Sequence, residues 1–152
     1  MGLLLSLGSL AMAIYRRMVF MKKCFMGVES GKDPKVIIIP VPLEATVSYG
    51  LGTAKGPNAI IEASYQVEHY DAELKSEPIH IGIGLEEAVN CERPIGKVLE
   101  DVEARVSNVI GRGKLPFIIG GEHSITPAAV KAIAMVEKDF TVLQFDAHAD
   151  LR

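Results

Sequence analysis

The amino-acid sequence predicts an α/β protein organised around a parallel β-sheet. From Lys35 onward, short apolar runs alternate with segments of helical period, the order expected of βαβ units. No internal repeat or low-complexity tract interrupts that order. The 152 residues are 49% hydrophobic and 23% charged, enough apolar material for one globular domain with a real core.

Each element has its own signal. Val36 to Val41 (VIIIPV) is an apolar run of strand length and reads as a buried strand. Gly56-Pro57 introduces a helix over Ala59 to Tyr70, because proline in a first turn gives up an N–H that has no helical partner. Ile79 to Ile83 is the second strand expected. Ile95, Val98, Leu99, Val102, Val106, Val109 and Ile110 recur at steps of three and four, which predicts an amphipathic helix over Pro94 to Ile110, ended by Gly111 and Gly113. Leu115 to Ile119 is the third strand and runs straight into Gly120-Gly121-Glu122-His123-Ser124. Thr126 is expected to cap a helix that begins at Pro127 and carries Val130, Ile133, Ala134 and Glu137 towards a fourth strand, Phe140 to Phe145.

Composition excludes several functions. A formal net charge of −3 without clustered Lys and Arg argues against nucleic-acid binding. Two cysteines, Cys24 and Cys91, lie far apart and form no CxxC pair, so neither a disulfide framework nor a thiolate zinc site is expected; a reducing cytoplasm fits. Leu3 to Ile14 is apolar but is followed, not preceded, by Arg16 and Arg17, unlike a secretory signal. It is also shorter than the roughly 20 residues a bilayer span takes. Met18, Met21 and Met26 offer later starts, so residues 1–24 are set apart as a leader, with a misplaced start favoured over a membrane anchor, and residues 25–152 as the domain.

The chemistry gathers at the end of the sequence. Asp146, His148 and Asp150 sit at i, i+2 and i+4 directly after an apolar run, and in an extended segment residues two apart share a face. His123 follows the preceding strand through a Gly-Gly turn, and consecutive strands of a parallel unit end at the same sheet edge. The four side chains are therefore expected to converge. Imidazole and carboxylate without sulfur suit Mn2+, Fe2+, Co2+ or Zn2+. Gly120 and Gly121 fit either a close approach to a ligand or simply a tight turn. Glu122 reads equally as a supporting loop acid or a solvated one, Ser124 and Thr126 as helix-start residues, and His69 and His80 as surface or structural histidines outside the metal shell.

GGEHSIT at Gly120 to Thr126 and DAHADLR at Asp146 to Arg152 resemble the first two signatures of the ureohydrolases, nearest the agmatinase branch. Val41 to Ser64 (VPLEATVSYGLGTAKGPNAIIEAS) resembles the family's N-terminal block, with its SY…GT…GP order ahead of a helix, and EHYDAEL at Glu68 to Leu74 continues it. Three ordered motifs are far more specific than any one. The resemblance implies a three-layer arginase-like fold with helices on both faces of the sheet, cut after the strand that carries DAHAD. It implies a binuclear Mn2+ centre in which His123 binds the first metal, His148 the second, Asp146 bridges them and Asp150, the expected catalytic residue, binds the first. It also implies hydrolysis of a guanidino group to urea and an amine. For agmatine that amine is putrescine, a step of polyamine biosynthesis. Family members are typically homo-oligomers without nucleic-acid or membrane partners.

The sequence departs from the pattern in one large respect. The family's third signature, SxDxDxxDP, which adds two aspartates to the metals, is not in these 152 residues, nor are the later His and Glu that move protons and hold the guanidinium; four of six protein ligands are present. The leading expectation is thus the N-terminal portion of an agmatinase-type ureohydrolase, inactive by itself. The alternative is a non-catalytic remnant or subunit that associates with a full-length homologue. The loops that separate agmatine from arginine, guanidinobutyrate and formiminoglutamate lie partly beyond residue 152.

Overall fold

The computed structural model describes residues 24–150, so the leader reading falls outside it except for Cys24, as do Leu151 and Arg152. At its centre lies β1 (Val36–Val41), paired in parallel with β2 (Ile83–Leu85) on one side and β3 (Leu115–Gly120) on the other. Five of the six β1 residues are buried, which explains an apolar run without polar alternation: a central parallel strand is covered on both faces.

Three helices supply the cover. α1 spans Gly56–Ala63, α2 Ile95–Gly111 and α3 Thr126–Val136. Ile37, Ile39 and Val41 share one core with Val98, Val102, Val106 and Val109 of α2 and with Ala128 and Ala132 of α3. Ile38 is buried outside that core, while α1 contacts β1 and β3 with Pro57 and Ile61 buried. Alternate β1 side chains thus feed two layers, α1 on one face and α2 with α3 on the other, giving the three-layer arrangement. The chain moves from β1 outward to β2 and then returns past β1 to β3. That reversal makes the gap between the ends of β1 and β3 the topological switch point, where open α/β sheets hold ligands.

Several expectations are corrected. Helix Ala59 to Tyr70 begins earlier, at Gly56, and ends at Ala63, passing into a 3-10 turn at Ser64–Gln66. Ser64 closes it by donating its hydroxyl to Ile61 O at 2.6 Å and accepting Met26 N–H at 2.9 Å, which ends the helix with a buried polar group fully used. The strand expected over Ile79 to Ile83 is instead a 3-10 turn at Pro78–Ile81, and β2 starts at Ile83. A short apolar run cannot by itself distinguish the two, and Pro78 and the left-handed Gly82 (φ 79°) favour the turn. Thr126 is the first residue of α3, not its cap: a 3-10 turn over His123–Ile125 leads into the helix, and its i to i+3 bonding takes the place of a side-chain cap.

Phe140 to Phe145 is not a strand. It makes no ladder with any described strand, and Val142, Leu143 and Phe145 are 54%, 77% and 97% exposed. A parallel strand is held by neighbours and by cover on both faces, and this run has neither. Among the described residues, no helix is long and apolar enough to cross a membrane.

Candidate metal centre

The site is built on the turn that follows β3. Gly121 N donates to Val41 O at 2.9 Å and Glu122 N to Leu43 O at 3.0 Å, so the β1 pairing continues past the strand ends and fixes the turn to the chain leaving β1. A Cβ on Gly121 would run into the backbone carbonyl of Leu43, so a close approach of backbone to backbone requires glycine there.

Glu122 has a role the sequence leaves open. One carboxylate oxygen accepts the amides of Ala45 and Thr46, both at 2.8 Å; the other accepts the hydroxyls of Thr46 at 2.7 Å and Ser124 at 2.6 Å. Partial burial opposes its ionisation, but the hydrogen bonds from Ser124, Thr46 and Ala45 outweigh it and hold the carboxyl at about 2. Glu44 acts in the same way within the loop after β1, accepting Gly52 N at 2.9 Å and Ala54 N at 2.8 Å. Those bonds, the Ala54 one foremost, hold its pKa below the usual carboxylate range. Ser124 lies two residues on, but Thr46 and Ala45 lie 76 and 77 positions away, so no local pattern announces those two.

His123 and the terminal acids meet across this turn. Ligand atoms of His123, Asp146 and Asp150 lie within 4.8 Å of one another, with His123 Nε2 3.5 Å from Asp150 Oδ2. The convergence expected for these three is present, but not by alternation along a straight strand. Asp146 Oδ1 accepts the N–H of His148 at 2.9 Å, a turn closed by the aspartate itself, and Asp150 adopts a left-handed φ of 52°. Without a ladder to hold it extended, the segment curls.

His148 stands outside the trio. Its ring is 83% exposed, with Nδ1 3.6 Å from Asp146 Oδ1. The backbone hydrogen bond from His148, with the neighbouring His148 and His123 rings, keeps the Asp146 carboxyl below its ordinary range and hence ionised at neutral pH. An imidazole and two ionised oxygen donors on a solvent-accessible edge are a chemically apt set for a hard or borderline divalent cation. The remaining histidines behave as the sequence suggests: His69 Nε2 lies 3.1 Å from Met26 O, and His80 pairs with Glu77 at 2.9 Å.

Known proteins match both the sequence and the fold. The N(1)-aminopropylagmatine ureohydrolase of Synechocystis sp. is 37% identical over 136 residues, covering 82% of this chain and 43% of that protein. The agmatinase of Bacillus subtilis is 31% identical over 124 residues, covering 80% and 42%. Among solved structures, the agmatine ureohydrolase of Thermoplasma volcanium superposes with a TM-score of 0.69 at 29% identity, covering 78% of this chain and 41% of that one. A Trypanosoma cruzi formiminoglutamase crystallised with Mn2+ shares the fold, with a TM-score of 0.63 at 21% identity over 72% and 39%. The chain therefore spans about two-fifths of the length of these relatives. A sequence profile of the arginase family matches residues 34–152, from just ahead of the central strand through the terminal acids, and the chain belongs to that family.

Proposed function

We propose that this chain carries the first part of an agmatinase-type ureohydrolase site, with Mn2+ as its metal and agmatine as its substrate. The observation that carries the proposal is the gathering of His123, Asp146 and Asp150 donor atoms within 4.8 Å at the β1–β3 switch point. His123 and Asp150 would hold one ion, His148 a second, and Asp146 would lie between them, with the remaining ligands supplied from outside residues 24–150. A metal bound there supplies a depressed pKa for water and a positive charge beside the reacting carbon.

The chain's own groups have distinct tasks. Asp146, ionised at neutral pH, contributes negative charge and two oxygens. Asp150 orients the attacking water by accepting its hydrogen bond, and Glu122 fixes the turn from which His123 projects. Water adds to the guanidino carbon, the bond from that carbon to the substituted nitrogen breaks, and that nitrogen leaves with a proton; a guanidinium and one water become urea and an ammonium ion. Such catalysis is needed because a resonance-stabilised guanidinium is a poor electrophile.

The test uses Mn2+ titration followed by calorimetry, and urea release from agmatine. The 152-residue chain produced by itself is expected to bind Mn2+ weakly, to lose that binding in Asp146→Asn, and to release no urea, because two of six ligands are not among its residues. Binding that is indifferent to Asp146→Asn would overturn the metal assignment.

A further inference from the structure

Residues 45–52 form a loop whose two feet rest on the turn that carries His123 while its tip stands in solvent. Glu122 holds the first foot through the amides of Ala45 and Thr46. Thr53 Oγ1 donates to Gly121 O at 2.8 Å and fixes the second, and Glu44 closes the stem through Gly52 and Ala54. Between these feet Tyr49 is 99% exposed and Leu51 89%. A tethered stem with an apolar tip is not accounted for by the fold, since neither side chain buries surface against the domain. The backbone is nonetheless committed to this course: Gly50 and Gly52 take φ of 72° and 119°, which only glycine adopts without strain.

The loop leaves the end of β1 and His123 follows the end of β3, so both border the same crevice. From Thr46 to Tyr49 the chain reaches at most about 11 Å even fully extended. The Tyr49 backbone is thus kept within about 11 Å of the Thr46 anchor on the turn. An aromatic face attracts an ammonium ion and offers nothing to a carboxylate.

We propose that Tyr49 is a specificity-determining residue that receives the aliphatic ammonium end of a substrate whose guanidinium lies at His123, Asp146 and Asp150. This inference rests on the ureohydrolase reading, and it selects amine-tailed over acid-tailed guanidino compounds.

The experiment uses a complete enzyme in which these 152 residues are joined to a remaining ureohydrolase portion that supplies the other metal ligands, with Tyr49→Ala and Tyr49→Phe. Steady-state kinetics with Mn2+ compare agmatine, guanidinobutyrate and tailless methylguanidine, and calorimetry follows putrescine binding to the metal-free protein. Tyr49→Ala is expected to raise KM for agmatine about tenfold with kcat within about twofold, and to weaken putrescine comparably, the size expected of one ring–cation contact. KM for the other two compounds stays unchanged, and Tyr49→Phe, which keeps the ring face, behaves as the unmodified protein. Equal effects on all three compounds, or none, overturn the proposal. So does a variant whose only change is in sedimentation, which would give the tip to a subunit contact. Failure of that completed, unmodified, Mn2+-loaded enzyme to hydrolyse any of the three sinks the ureohydrolase reading along with this one, whereas turnover indifferent to Tyr49 sinks this one alone.

Discussion

Among single residues, Glu44 and Glu122 do work that their neighbours in sequence do not reveal. Glu44 is held ionised by the Ala54 and Gly52 amides, so its carboxyl is more acidic folded than unfolded. The sign follows: its contribution is present above the ordinary glutamate value of about 4.3 and is lost as pH falls through the lower folded value. In an NMR titration the Gly52 and Ala54 amide shifts should therefore move together with a midpoint below about 4.3; a midpoint at or above it would contradict the clamp. Gly121→Ala tests the turn. The new Cβ meets the Leu43 backbone, which cannot rotate away, and the expected cost is about 3 kcal/mol, read from urea unfolding. Gly120→Ala, whose nearest atom is the movable Cδ1 of Ile125, should cost less. His123 and the acids were legible by chemical type and spacing. Glu122 was not, because beyond the adjacent Ser124 hydroxyl its partners Ala45 and Thr46 are set by β1–β3 pairing.

At the scale of the element, α2 is the part most fully written in its own sequence. Val98, Val102, Val106 and Val109 fall on one stripe, and all four are fully buried against β1 and α3. Val102→Ala should therefore cost on the order of 2 kcal/mol, while Glu100→Ala on the exposed face stays within about 0.5 kcal/mol. Equal unfolding midpoints for the two would contradict the packing. One flank of that stripe is laced by charge: Arg105 pairs with Asp101 at 3.1 Å and donates to Glu87 O at 2.7 Å, while Arg93 reaches Asp101 at 2.8 Å. These contacts tie α2 to the loop that enters it. Where the periodic signal was short, tertiary context decided. The Ile79–Ile81 run turns at Pro78 and Gly82, and Phe140 to Phe145 stays outside any ladder although its composition is that of a strand.

For the whole molecule, the parallel direction of the sheet was readable from the alternation of runs and the three layers from the family resemblance, but which edges are covered was not, because cover is supplied by other segments. Leu115 and Phe117 on β3 are 61% and 55% exposed, and Leu143 and Phe145 face solvent close to the site acids in sequence. Apolar surface of this kind drives association. The 152-residue chain produced alone should self-associate in analytical ultracentrifugation, and Leu143→Glu with Phe145→Glu should shift it towards monomer; association unchanged by both would point elsewhere.

The central position of β1 also sets a schedule. Val36 pairs with Ile83 and with Leu115, both later in the chain, so β1 has no partner when it leaves the ribosome. At ordinary synthesis speeds, on the order of ten seconds pass before β3 follows it. Over that interval VIIIPV is a bare apolar ribbon, and the strand that later organises the domain is, at birth, the stretch most in need of a chaperone's cover.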